Sequence, residues 1–112
     1  MDSLNFTEWN SLVYLVSDIY GATKRFKVGE AGIFACQIRK SAVSLSALMN
    51  TTSPSELRKE DFSKIYPILS SIYVLETYLQ LARRNRYIKN TDALEEKLNE
   101  VKDDLLKLLA QE

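Results

Sequence analysis

The sequence predicts an all-α fold, a single antiparallel up-down-up-down four-helix bundle over residues 1–112. Three observations carry that prediction. Apolar residues recur three and four apart through most of the chain, the pattern of a helix with one buried face. Turn formers are scarce, with three Gly and two Pro, which favours long helices over many short strands. The breaks between periodic stretches are short, and short connections force neighbouring helices to run antiparallel. With 46% hydrophobic and 27% charged residues, the composition is that of a globular chain. At 112 residues such a chain buries roughly 65% of the surface its unfolded form exposes.

Asn5 is placed to cap the first helix, with Glu8 three residues on reaching back to it. Phe6, Trp9, Leu12, Val13, Val16, Ile19 and Tyr20 then trace one buried face to about Thr23. Lys24, Arg25 and Lys27 follow, where cations complement the negative end of the helix dipole.

The second helix is predicted from Gly29 to Asn50, a length of about 33 Å. Phe34, Ile38, Leu45 and Met49 form its apolar stripe, while Ala31, Ala35, Ser41, Ala42, Ser44 and Ala47 keep the rest narrow. Narrow side chains admit a neighbouring backbone, so this helix is expected at the centre. The same residues are also simply tolerable helix formers. Cys36 is the one cysteine and is expected to be a small buried apolar residue, as free cysteines usually are.

Ser53-Pro54-Ser55-Glu56 reads as the start of the third helix, with Ser53 as N-cap, Pro54 at the first helical position and Glu56 closing the capping box. Its apolar positions, from Phe62, Ile65 and Ile68 to Leu79 and Ala82, reach about Arg86. Pro67 removes one backbone hydrogen bond and crowds the carbonyl of Ser63, which predicts a kink. A helix this long overhangs the bundle, which makes Phe62, Ile65 and Tyr66 candidates for a contact between subunits. The alternative is that residues 57–66 fold back over the bundle at Pro67.

Asn90-Thr91-Asp92 is the last loop, and Asp92 with Glu95 repeats the capping logic. Leu94, Leu98, Val101, Leu105 and Leu108 step by 4, 3, 4 and 3 along the fourth helix, a heptad seam that wants a bundle partner. Leu106 and Leu109 widen the stripe.

Function classes narrow by elimination. The chain has no histidine, so it lacks the commonest general base, metal ligand and activator of a nucleophile. One cysteine forms neither an intrachain disulfide nor a multi-cysteine zinc site. The carboxylates of the fourth helix have lysines at helical neighbour positions and read as a solvated face. No catalytic, cofactor, metal or small-molecule site is expected. The first residues show no basic-then-apolar leader, and no run is long enough to span a membrane; the expected location is the cytoplasm.

Lysine and arginine total 15 against 15 aspartate and glutamate, so no overall field draws in nucleic acid. A local patch remains. The ends of the first and third helices share a pole in the predicted topology, which gathers Lys24, Arg25, Lys27, Arg83, Arg84, Arg86 and Lys89 around Tyr87. Such a cluster can contact phosphates while the tyrosine stacks on an unpaired base. Cations at helix C-termini are also ordinary dipole complements.

Gln37-Ile38-Arg39-Lys40-Ser41-Ala42-Val43-Ser44, with Phe26 and Glu30 before it, and Leu75-Glu76-Thr77 followed by Leu79, Ala82, Tyr87 and Ile88, resemble the four-helix-bundle family encoded in intervening sequences of bacterial 23S ribosomal RNA genes. The resemblance covers most of the chain and extends to the accessory proteins of diversity-generating retroelements. It implies a homopentameric ring, and for the retroelement branch the binding of nucleic acid (RNA or DNA) and of a protein partner, a reverse transcriptase. Arg39 and Glu76 are the charged members of the two motifs, and they are candidates to pair across helices or across a subunit boundary. One stretch departs from the family: Ser44–Thr52 stands where relatives have Ser-Ile-Pro-Ser-Asn-Ile-Ala-Glu-Gly. Nor does the neutral chain share the strongly basic character of the retroelement proteins.

Overall fold

The computed structural model describes residues 12–24, 29–53, 57–88 and 90–110. A short 3-10 turn, Leu12–Tyr14, leads into α1 (Leu15–Thr23). It is followed by α2 (Glu30–Asn50), α3 (Phe62–Arg84) and α4 (Asp92–Ala110), with no strand among the described residues. The described residues form a rod 47 Å long and 22 × 21 Å across. Each helix packs on the next in chain order, and an ion pair from Lys97 Nζ to Asp18 Oδ2 at 3.3 Å ties α4 back to α1.

The periodic stripes become the core. Leu12, Leu15 and Ile19 share one buried cluster with Ile38, Ala42, Leu45 and Met49 of α2. Ile65, Ile68, Leu69, Ile72, Leu75, Leu79 and Ala82 supply the α3 side. The predicted seam of α4 is buried throughout, from Leu94 to Leu108. Phe34 fills the space near the start of α2, edge-on to Tyr78 at 6.1 Å and to Tyr87 at 5.5 Å between ring centroids. That contact joins the first turns of α2 to the segment after α3.

The helix ends follow from local chemistry. Gly29 precedes α2 at φ 90, a conformation that favours a residue without Cβ, and its carbonyl accepts the first helical bond from Ile33 N–H. The far end of α3 closes in a Schellman motif. Tyr87 N–H donates to the Ala82 carbonyl and Arg86 N–H to that of Arg83, with Arg86 at φ 61.

Several expectations are corrected. The third helix starts at Phe62, not at the Ser53 cap; Pro54 and Glu56 lie outside the described residues. Leu57 is buried instead as part of the core, and residues 58–61 turn back on themselves. Arg58 N–H donates to Asp61 Oδ2 at 2.9 Å and Asp61 N–H to the Arg58 carbonyl at 3.0 Å. Burying one leucine wins over extending a helix through Arg58-Lys59-Glu60-Asp61, a run with no apolar residue to bury. α3 continues as one helix through Pro67.

Cys36 is exposed rather than buried. It sits two positions, about 200° of helical rotation, from Ile38 at the core. Tyr20 is 49% exposed and Leu106 is exposed, so neither belongs to the buried stripe assigned to it. Asp92 is the first residue of α4 and not its cap; its N–H donates to Asn90 Oδ1 at 2.9 Å, and the Thr91 hydroxyl donates to Glu95 Oε2 at 2.7 Å. Asn5, Phe6, Glu8 and Trp9 lie outside the described residues, as does the side chain of Val13.

Candidate functional site

Of the predicted basic pole, the structure describes Lys24, Arg83, Arg84 and Arg86. Arg25, Lys27 and Lys89 lie outside the described residues. Arg83 is engaged within the chain: its Nη1 donates to Glu95 Oε2 at 2.8 Å and Thr91 Oγ1 at 3.2 Å, and lies 3.5 Å from Asp92 Oδ1. That network clamps the end of α3 to the start of α4. Lys24, Arg84 and Arg86 remain exposed. Tyr87 is half-buried against Phe34, which leaves less of its ring for a stacked base.

Arg39 and Glu76 do not pair within the chain. Glu76 is 7% exposed, and Lys102 Nζ reaches both of its oxygens at 3.0 and 3.1 Å. The same ammonium stands 5.1 Å from the centre of the Tyr73 ring, which adds a cation–π attraction. Glu76 falls on the buried face because 72, 75, 76 and 79 are helical neighbours. Its signal was position, while the identity of its partner 26 residues later is set by packing.

Arg39 is held from two sides by α1. Its Nε donates to Thr23 Oγ1 at 2.8 Å, and Thr23 in turn donates to the Ile19 carbonyl at 2.7 Å. The guanidinium lies over the Tyr20 ring, 4.4 Å from its centroid. Thr23 was missed by sequence reasoning; a threonine buried at a helix end is a weak signal without its partner. Tyr20, Cys36, Arg39, Lys40 and Val43 together line an open groove between α1 and α2.

The candidates for contact between subunits divide. Ile65 is 0% exposed and belongs to the chain's own core, so it is removed from that set. Phe62 and Tyr66 are 49% and 55% exposed, with their rings stacked at 5.6 Å. Tyr73 and Val74 continue the exposed apolar surface along α3. On the side of α3 that meets α4 a second open groove runs past Tyr73 and Glu76 to Glu96, Glu100 and Asp103. Among the described residues no group of three or more Cys, Asp and Glu is placed to hold a metal ion. No described helix is long and apolar enough to cross a membrane.

Comparison with known proteins returns no match: no family model, no curated protein and no solved structure is significantly similar to this chain.

Proposed function

We propose that this chain is a non-enzymatic, homo-oligomeric accessory or scaffold protein that acts by docking its helix faces. The observation that carries the reading is the surface of α3, where Phe62, Tyr66, Tyr73 and Val74 stand exposed along one helix. Exposed aromatics grouped on one element are what a docking surface is made of. The resemblance to proteins of 23S ribosomal RNA intervening sequences supplies the form of the assembly, a pentameric ring in the cytoplasm.

The bundle within each subunit is read as antiparallel, up-down-up-down. Two contacts between α3 and α4 support this: Arg83 meets Glu95 and Glu76 meets Lys102, so a step of seven back along α3 matches a step of seven forward along α4. Nucleic acid, RNA or DNA, is a second ligand in this reading, held at the pole through Lys24, Arg84 and Arg86. With Arg83 consumed by Glu95, that pole is weaker than the sequence suggests, and docking of a protein partner such as a reverse transcriptase becomes the alternative.

Light scattering at about 50 and about 500 mM salt, with and without a short structured RNA, tests both parts. An oligomer whose mass rises with RNA at low salt alone supports assembly and the phosphate-binding pole together. An oligomer indifferent to RNA leaves the protein-docking form. A monomer at every concentration removes the proposal.

A further inference from the structure

Two grooves of opposite character lie on opposite sides of the bundle. The helices pack in chain order and Lys97 closes α4 onto α1, so the groove between α1 and α2 and the groove between α3 and α4 face away from each other. The first carries Arg39 and Lys40, flanked by Cys36 and Val43, with Ile33 66% exposed one turn before. The second carries Glu96, Glu100 and Asp103 beside Tyr73, with its one lysine, Lys102, paired to Glu76. The two grooves thus differ in the sign of the charge they carry.

Arg39 is the feature that points to an occupant. Its Nε is taken by Thr23 and its plane by Tyr20, while its terminal nitrogens take no hydrogen bond among the described residues. A guanidinium fixed this way has lost most of its rotamer freedom before any partner arrives, and its free edge matches a carboxylate bidentately. On the other side, Glu96 and Asp103 stand seven residues apart on the exposed face of α4 and have no ion-pair partner among the described residues.

We propose that the α1–α2 groove of one copy docks onto the α3–α4 groove of a second copy, with Arg39 and Lys40 set against Glu96 and Asp103. The contact rests on the oligomeric reading above and gives it a direction. It is head-to-tail: a two-fold contact through either groove sets like charge against like, whereas a heterologous one satisfies both. Each subunit uses both faces, so the contact passes from copy to copy, and it closes as a ring when the rotation per copy divides a full turn and extends as a filament otherwise. Ile33 and Val43 on one side and Tyr73 on the other supply the apolar part of the same contact.

The test is charge reversal with mixing, read by light scattering over a dilution series of the full chain. Glu96→Lys/Asp103→Lys alters exposed side chains alone, and Lys40→Glu does the same on the opposite groove; circular dichroism checks that each remains helical. Each variant by itself is expected to weaken association at least about tenfold, since like charges then meet. Mixing the two variants is expected to raise the mass above that of either alone, because the unaltered grooves of the two variants still match and each reversed face finds its reversed complement; a closed five-membered ring is not expected from the mixture, since an odd ring keeps one contact between like variants. Wild-type assembly that neither reversal weakens would overturn the pairing of these grooves while leaving an oligomer standing. Loss with Lys40→Glu that mixing fails to rescue would also overturn it, in favour of a contact that does not use α4. A wild-type monomer would remove the oligomeric reading itself.

Discussion

Glu76 and Lys102 form a two-point contact inside the bundle: one ammonium lies 3.0 and 3.1 Å from the two oxygens of one carboxylate. The side chains are 9% and 17% exposed. At that burial neither charge is well solvated by itself, so each depends on the other. A single substitution, Glu76→Ala, is expected to cost about 2–3 kcal/mol, much of it the penalty of leaving the ammonium unpaired. Replacing both residues with leucine or methionine is expected to restore most of that loss, because a buried ion pair is often no more stable than an apolar pair of similar volume. Urea unfolding of the two singles and the double gives the coupling. Independent, additive losses would show that the pair does not act as a unit.

The core of α4 gives a second expectation. Leu98 is fully buried on the seam that faces the other helices. Leu98→Ala is expected to destabilise by about 2–5 kcal/mol through lost transfer energy and the cavity left behind. Leu106→Ala, on the exposed side of the same helix, is expected to stay within about 0.5 kcal/mol of wild type. Equal midpoints in urea for both variants would contradict the orientation of α4.

These two helices also show what was legible in the sequence. The seam of α4 needs just its own spacing, because each of its leucines answers the same question about one face. The exposure of Cys36 is readable from its position, since two steps from Ile38 is the far side of a helix, and helical geometry outweighs the tendency of free cysteines to be buried. The start of α3 failed for another reason. Ser53-Pro54-Ser55-Glu56 is a strong local signal, but where a helix begins also depends on whether the next turn has anything to bury. Leu57 finds the core, and the charged residues after it do not. Partners far apart in sequence were the least legible, since neither Arg39 with Thr23 nor Glu76 with Lys102 is specified before the helices pack. Asp92 and Glu95 could be placed near the cations from the order of the helices, but that Glu95 takes Arg83 depends on the packing of α3 on α4.

The Arg39 cradle yields a third prediction. Thr23→Val keeps the shape of a residue that is 2% exposed while deleting the hydroxyl that accepts from Arg39 Nε. The expected cost is about 1–2 kcal/mol of stability, the worth of a hydrogen bond to a charged donor. Tyr20→Leu removes the face beneath the guanidinium and is expected to cost less, about 0.5–1 kcal/mol for a half-exposed cation–π contact. Thermal unfolding of both variants beside Arg39→Ala checks the order. If Thr23→Val unfolds with the wild type, the hydrogen bond contributes nothing to holding α1 on α2.

Arg86 supports a prediction in which stability and binding move in opposite directions. It occupies the left-handed position of the Schellman motif after α3, at φ 61, where a side chain costs about 1 kcal/mol relative to glycine. Arg86→Gly relieves that cost and keeps both backbone bonds of the motif, so the variant is expected to be more stable by about 0.5–1 kcal/mol. It also deletes an exposed cation at the pole. If that pole holds phosphates, the slope of log K against log salt for RNA falls by about 0.7–0.9, one phosphate contact's worth. Calorimetric melting and RNA titration at several salt concentrations separate the two effects on one variant. A more stable protein with an unchanged salt slope would keep the backbone account of Arg86 and remove it from the nucleic-acid surface. A destabilised protein would mean that the arginine side chain makes a contact worth more than its backbone strain.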